Sequence, residues 1–276
     1  MIDISFVQSG LQLSLATTIS PNSQIVNVRR PLRYRILDTL IATVQLISAL
    51  FVQKKIAIYD HRNILTIIAT ALCKAAPSRF NCVYIGDDGM HSLIVDKYGR
   101  KHLYWRTSIF KKILLKALEK EVLSLKRIHS LKDMRSYSTR DSIFVDFYNL
   151  LGKSEKTLIQ SSIFIDQPGV VDAMTTQEIA DLVTELNRYN HIEIILHPRR
   201  GDDFFYKNLG FVTRASPNIE VELNCLNKSF EVVGYFSTVL LAGKRFGHKI
   251  KVLEIPLSMG EELRDYAKAG LAIIDD

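Results

Sequence analysis

KKIAIYDHRNILTIIATALCKAAPSRFNCVYIGDDG, residues 54–89, changes periodicity twice. The β-rich run "KKIAIYD" gives way to the helical pattern "NILTIIATALCKAA", and a second short run, "FNCVYI", ends in the turn "GDDG". Two strands separated by a helix of ten or more residues make a parallel βαβ unit, because a parallel return needs a crossover of that length. Upstream, "IDISFV", the helix-like "SGLQLSLATTI", the strand "SQIVNV" and a helix over roughly 33–50 continue the alternation. The first half therefore reads as Rossmann-like.

A basic helix and the polar "LGKSEK" (Leu151 to Lys156) interrupt the pattern, which then resumes. "LIQSSIFIDQPG", "HIEIILHP", "IEVEL", "FEVVGYF" and "KIKVLEIP" read as strands, and "TTQEIADLVTELNRY", "STVLLAG" and "GEELRDYAKAG" as helices. The expected organisation is two α/β domains, 1–150 and 151–276, with the boundary within 135–158. A chain of 276 residues with 47% hydrophobic and 24% charged residues has enough apolar material for both cores.

Several classes are disfavoured. The longest apolar run, Leu40 to Val52, is too short to span a bilayer and carries Thr43, Gln45 and Ser48. The N-terminus lacks a secretory pattern, and three scattered cysteines form no disulfide framework, so a cytoplasmic location is expected. There is no Walker A loop, no G-x-G-x-x-G turn and no ligand spacing for a metal. The net charge of +7 is concentrated: Arg100 to Arg135 holds eleven Lys and Arg against Glu119, Glu121 and Asp133. The remainder is close to neutral, which argues against a nucleic-acid-binding protein. Apolar residues recur among those lysines at helical spacing, which predicts an amphipathic basic helix over 108–132. That helix either contacts an anionic membrane surface or packs on the first domain with a solvated basic face.

In parallel sheets ligands gather beyond the carboxyl ends of strands, where "GDDG", "DQPG", "HPRR" and "GYFST" all fall. Asp87 and Asp88 are candidate general bases, one entering the site while the other braces the loop, or else both form an exposed acidic turn. His197 can donate a hydrogen bond or a proton near neutral pH, with Pro198 fixing the chain direction after it. Arg199 and Arg200 could attract a phosphate-bearing ligand. Ser237 and Thr238 stand at a predicted helix start, where they either bind phosphate or simply cap the helix.

The order D-D-G, then H-P, then a Ser/Thr pair resembles the bacterial sialyltransferases, and most closely the family 52 glycosyltransferases. These include lipooligosaccharide sialyltransferases and are related to the polysialyltransferases of capsule synthesis. "FVQSGLQLSLA" is similar to the family's S-P-L-Q-L segment, and "IFIDQPG" to its G-Q-P segment. This chain departs from the pattern at Gly10 (usually proline), Asp166 (usually glycine), Thr238 (commonly serine) and Ile195 (often basic). The resemblance implies a GT-B fold with two Rossmann-like domains facing across a cleft, an acceptor-side N-terminal domain and a C-terminal domain that binds a CMP-sugar donor. It implies inverting, metal-independent transfer of sialic acid from CMP-sialic acid to a glycan hydroxyl, with no cofactor.

Carried over by residue, Asp88 is the first choice of base and Asp87 the second, and His197 serves the departing phosphate. Ser237 and Thr238 hold that phosphate, with Pro198, Arg199 and Gly10 also on the donor side. Glu220 or Glu222 accepts hydrogen bonds from the ribose. The acceptor would be lipid-linked at the inner membrane, and homodimerisation is left open. The alternatives are transfer from another CMP-activated sugar such as CMP-Kdo, and a non-catalytic basic protein that binds a membrane or an anionic polymer.

Overall fold

The computed structural model of the chain describes all residues except 1, 9, 28–34, 60–61, 77–82, 87–89, 99, 104–106, 130–141, 145–156, 199, 201, 217–218, 226–227 and 276. The protein is α/β and divides into two compact units, Met1–Leu150 and Leu151–Asp276, each built on its own parallel sheet.

Unit 1 contains β1 (Ile4–Val7), β2 (Gln24–Asn27), β3 (Ile56–Tyr59), β4 (Val83–Gly86), β5 (Lys126–His129) and β6 (Ser142–Phe144). They pair in the order β2-β1-β3-β4-β5-β6, every pair parallel. β1, β3 and β4 are buried along their whole length, which explains their unbroken apolar character: both faces of a parallel sheet are covered by helices. The helices are α1 (Gly10–Ile19), α2 (Arg35–Phe51), α3 (Ile64–Ala75), α4 (Met90–Tyr98), α5 (Arg100–Leu103), α6 (Ile109–Ala117) and α7 (Glu119–Ser124). Ala42, Leu46, Ala49 and Leu50 of α2 and Leu65 and Ala69 of α3 close one core over Ile4, Phe6, Ile56 and Ile58. Asn63 starts α3 by accepting a hydrogen bond from the Leu65 amide at 3.0 Å.

The single basic helix expected over 108–132 is not what forms. It divides at Leu118, whose backbone leaves the helical region (φ −115°, ψ 13°), and the chain becomes strand from Lys126. Leu115 and Val122 are fully buried with Ile67, Val95 and Leu103, so α6 and α7 are packed elements of unit 1 rather than one detached amphipathic rod. Lys126 to Ile128 join the sheet beside β4, where backbone pairing outweighs the helical pattern of their side chains. Residues 130–132 lie outside the described residues.

Unit 2 contains β7 (Thr157–Ile165), β8 (Ile192–Leu196), β9 (Val212–Ala215), β10 (Lys228–Gly234) and β11 (Lys249–Val252). Their order is β11-β10-β7-β8-β9, again entirely parallel. Counted from β7 this is the Rossmann-like order 3-2-1-4-5, in which the chain reverses its direction of travel between β7 and β10. The helices are α8 (Pro168–Val171), α9 (Thr176–Leu186), α10 (Phe204–Asn208), α11 (Ile219–Cys225), α12 (Thr238–Arg245) and α13 (Glu261–Asp275).

"IEVEL" is a second correction, because it forms α11 and not a strand. Its alternation satisfies both periods: Ile219 and Leu223, four apart, are the buried pair, and the two glutamates lie in the first turn, where the helix dipole favours negative charge.

Candidate functional site

The end of β7 organises the carboxyl edge of unit 2. Asp166, the residue after the strand, is 0% exposed and accepts four hydrogen bonds. Arg200 donates two of them, from Nε at 2.6 Å and from its second guanidinium nitrogen at 3.0 Å. The Tyr206 hydroxyl donates at 2.7 Å, and the His197 backbone amide at 3.2 Å. A buried carboxylate survives only with such pairing, since taking it out of water unpaired costs several kcal/mol. Arg200 also donates to Asp172 at 2.9 Å, and its guanidinium carbon lies 5.5 Å from the Tyr206 ring centroid. Burial works against its charge, but Asp166 and Asp172 outweigh burial and push its pKa up. The Tyr206 phenol is pushed up by burial and by the neighbouring Asp166 carboxylate, so it remains a donor.

Arg200 is therefore not available to attract an anionic ligand, as its place after "HP" suggested. Its charge is neutralised by Asp166 and Asp172. Arg199 and Gly201 lie outside the described residues.

The next residue, Gln167, ties β7 to the turn after β10. Its Oε1 accepts from the backbone amides of Tyr235 (3.2 Å) and Phe236 (3.0 Å), while its Nε2 donates to the Phe236 carbonyl. The side-chain amide thus satisfies three backbone groups across the point where the sheet changes direction. Ser237 follows as the N-cap of α12, its hydroxyl accepting from the Leu240 amide at 3.3 Å, and Thr238 is the first helical residue. Capping, the plainer role of Ser237, is thus observed.

His197 and the Ser237–Thr238 pair occupy the ends of β8 and β10, the strands on either side of β7. Adjacent residues, Asp166 and Gln167, hold the two loops. Half-buried His197 carries its side chain at the carboxyl edge, its carbonyl accepting from the Arg200 amide at 2.8 Å, while Pro198 is exposed. Crevices at such reversal points are where parallel α/β sheets take ligands. The N-terminus of α12 adds a partial positive charge there.

Glu222 is engaged elsewhere. It accepts from Ser216 Oγ at 2.5 Å and from Arg214 at 2.7 Å, and Arg214 also pairs with Glu193. Burial pulls the Glu222 carboxyl up, but Ser216 and Arg214 prevail and hold it below its ordinary value. Desolvation raises the Glu220 carboxyl. Of the two, Glu222 braces α11 against β9.

In unit 1 the corresponding reversal lies between β1 and β3. Gly10 opens α1 just after β1, and the buried Gln12 closes that turn by accepting the Gln8 amide at 2.6 Å. Gly86 ends β4 with no room for a side chain, since a Cβ there would overlap the Tyr59 ring. Asp87, Asp88 and Gly89, the candidate base turn, lie outside the described residues.

Asp166, Gln167 and Tyr206 were not singled out as site residues by their sequence. The signal for the first two was present in "IFIDQPG", a strand ending in two side chains rich in hydrogen-bonding capacity. No signal near Tyr206 pointed to a carboxylate forty positions away. Among the described residues no group of His, Cys, Asp and Glu is arranged to hold a metal ion. No protein-family model matches this chain, and no curated protein matches it.

Proposed function

We propose that the protein is an inverting glycosyltransferase of GT-B type that transfers sialic acid from CMP-sialic acid to a hydroxyl of a surface glycan. The observation carrying this reading is that adjacent residues after β7 hold both loops: Asp166 the backbone of His197, and Gln167 the backbone of Tyr235 and Phe236, which lead into Ser237–Thr238. A histidine and a helix start at the carboxyl ends of the two strands that flank β7 suit a nucleotide phosphate that must first be bound and then released.

The acceptor oxygen attacks the anomeric carbon of the donor sugar while the bond from that carbon to the phosphate oxygen breaks. CMP departs with the electron pair, and the configuration at the carbon inverts. His197 donates a hydrogen bond or a proton to the leaving phosphate, and the α12 start with Thr238 stabilises its charge. The hydroxyl proton passes to Asp88 or Asp87 of unit 1. The transition state is cationic on the sugar, so base and phosphate stabilisation are the two requirements, each worth roughly 100-fold to 10,000-fold. No metal is required by this scheme, because CMP is a good leaving group.

Incubation with CMP-sialic acid and a panel of galactosides and sialosides, followed by mass spectrometry, tests the reading. Product gaining one sialic acid is expected, with loss of roughly 100-fold or more in Asp88→Ala and in His197→Ala at unchanged melting temperature. Turnover of CMP-Kdo but not of CMP-sialic acid would change the sugar and keep the chemistry. Full activity in both variants would sink the proposal.

A further inference from the structure

α2 is apolar on two sides. Its inner side closes the core through Ala42, Leu46, Ala49 and Leu50, while Leu37 (60% exposed), Val44 (63%) and Phe51 (65%), each seven residues apart, line the outer side with Leu40 and Ile41. α6 repeats this: Leu115 is buried, yet Ile109 is 80% exposed, and Phe110 and Ile113 are 64% exposed.

The two stripes belong to one layer. Parallel crossovers are right-handed, so the β1-to-β2 connection puts α1 on one face of the sheet. The β2-to-β3, β3-to-β4 and β4-to-β5 connections travel the other way and put α2, α3, α6 and α7 on the opposite face. α3 accordingly touches α2, α6 and α7. Exposed apolar area of this extent on one layer marks an interaction surface.

We infer that the outer side of the α2–α6 layer docks on an anionic lipid bilayer. The charge is what selects that occupant. Lys112 and Lys116, one turn apart and exposed, run along one edge of the α6 stripe, and exposed Lys54 and Lys55 follow Phe51 at the end of α2. Charge is also segregated between the units: unit 1 holds 22 Lys and Arg against 11 Asp and Glu, whereas unit 2 holds 14 against 18. A second copy docked by twofold symmetry would bring the same lysines onto the same patch, and like charges there repel. Anionic headgroups complement the lysines while the acyl boundary accepts Phe110, Ile113 and Val44. Among the described residues no helix is long and apolar enough to cross a membrane, so the contact is peripheral.

Flotation of the full chain with phosphatidylcholine vesicles, with and without about one-third phosphatidylglycerol, tests this. Binding is expected only with the anionic lipid and should weaken as salt rises. Lys112→Gln with Lys116→Gln should weaken it roughly 30-fold, the worth of two lysines at such a surface. Phe110→Ser with Ile113→Ser, and separately Leu40→Ser with Val44→Ser, should each weaken it at least about tenfold. Lys268→Gln, exposed in unit 2, should leave it unchanged. Leu40 and Val44 lie in α2 and the other positions outside it, and circular dichroism melts of every variant check that the fold is retained. Absence of binding to anionic vesicles, or binding indifferent to both apolar pairs, overturns the inference. So does a chain that ignores lipid but changes from dimer to monomer in the Phe110/Ile113 variant, which would make the layer an interface between copies.

Discussion

Asparagine in place of Asp166 would leave the Arg200 guanidinium facing a neutral amide in a site with little access to water. Removing one partner of a buried pair costs about 3–5 kcal/mol, much of it the penalty on the charge left behind. Tyr206→Phe removes one hydrogen bond to the same carboxylate and should cost about 1–2 kcal/mol. Urea unfolding of the single and double variants tests both values, and the two losses should not add, since the groups share Asp166. Additive losses would mean that Tyr206 acts apart from the carboxylate. Gly86→Ala is the corresponding change in unit 1: a methyl group there collides with the buried Tyr59 ring, and overpacking of that kind costs about 1–3 kcal/mol, readable as a lowered melting temperature. The place of His197 at a strand end was legible because a run of apolar residues stops there. The fate of Arg200 was not, because its partner lies 34 positions away, just past the end of β7, and ion pairing between loops leaves no local pattern. The same contact is what lets a carboxylate stand buried at the end of β7. Ile195, two residues before His197, is 1% exposed in the core of β8.

Whole elements were legible where burial made their sequence uniform. β1, β3 and β4 are buried throughout and read directly as strands, whereas β5, "KRIH", of the same length, is too charged and β6, "SIF", too short to signal a strand. α11 was ambiguous because five residues with apolar side chains at every second position also satisfy a four-residue spacing. α9 was legible at its start, although it ends at Leu186, short of the "NRY" that the pattern included, and that start carries a pH prediction. Thr175 and Glu178 form a capping box, and Glu178 also accepts the Ser258 amide at 2.9 Å, which ties the loop before α13 to the head of α9. The Ser258 contact, then the Thr175 amide and hydroxyl, lower the Glu178 pKa from 4.5 to about 2. Because the folded value is depressed, the stabilisation is fully present above about pH 4.5 and is lost as pH falls towards 2. Wild type should therefore exceed Glu178→Gln in melting temperature at pH 5, with the gap closing towards pH 2. A gap that stays constant across that window would show that the carboxylate charge is not what matters.

At the scale of the molecule, charge and chemistry are distributed unequally between the units. Unit 2, which carries the proposed donor groups, has more acidic than basic residues, and its best-placed arginine is already neutralised. In the proposed reaction, donor recognition would rest on short-range donors, namely His197, Thr238 and the α12 start, which salt screens poorly because they act at contact distance. Lipid docking by unit 1 rests instead on lysines spread around an apolar layer, and attraction of that kind falls within one Debye length. Raising salt should separate the two. With a soluble acceptor, the KM for CMP-sialic acid should change less than about threefold between roughly 50 and 300 mM salt, whereas the vesicle-bound fraction falls by about tenfold or more. A KM that rises in step with vesicle release would mean that long-range attraction from the basic unit also gathers the donor. Sensitivity to salt would then have to disappear from both measurements in the Lys112/Lys116 variant.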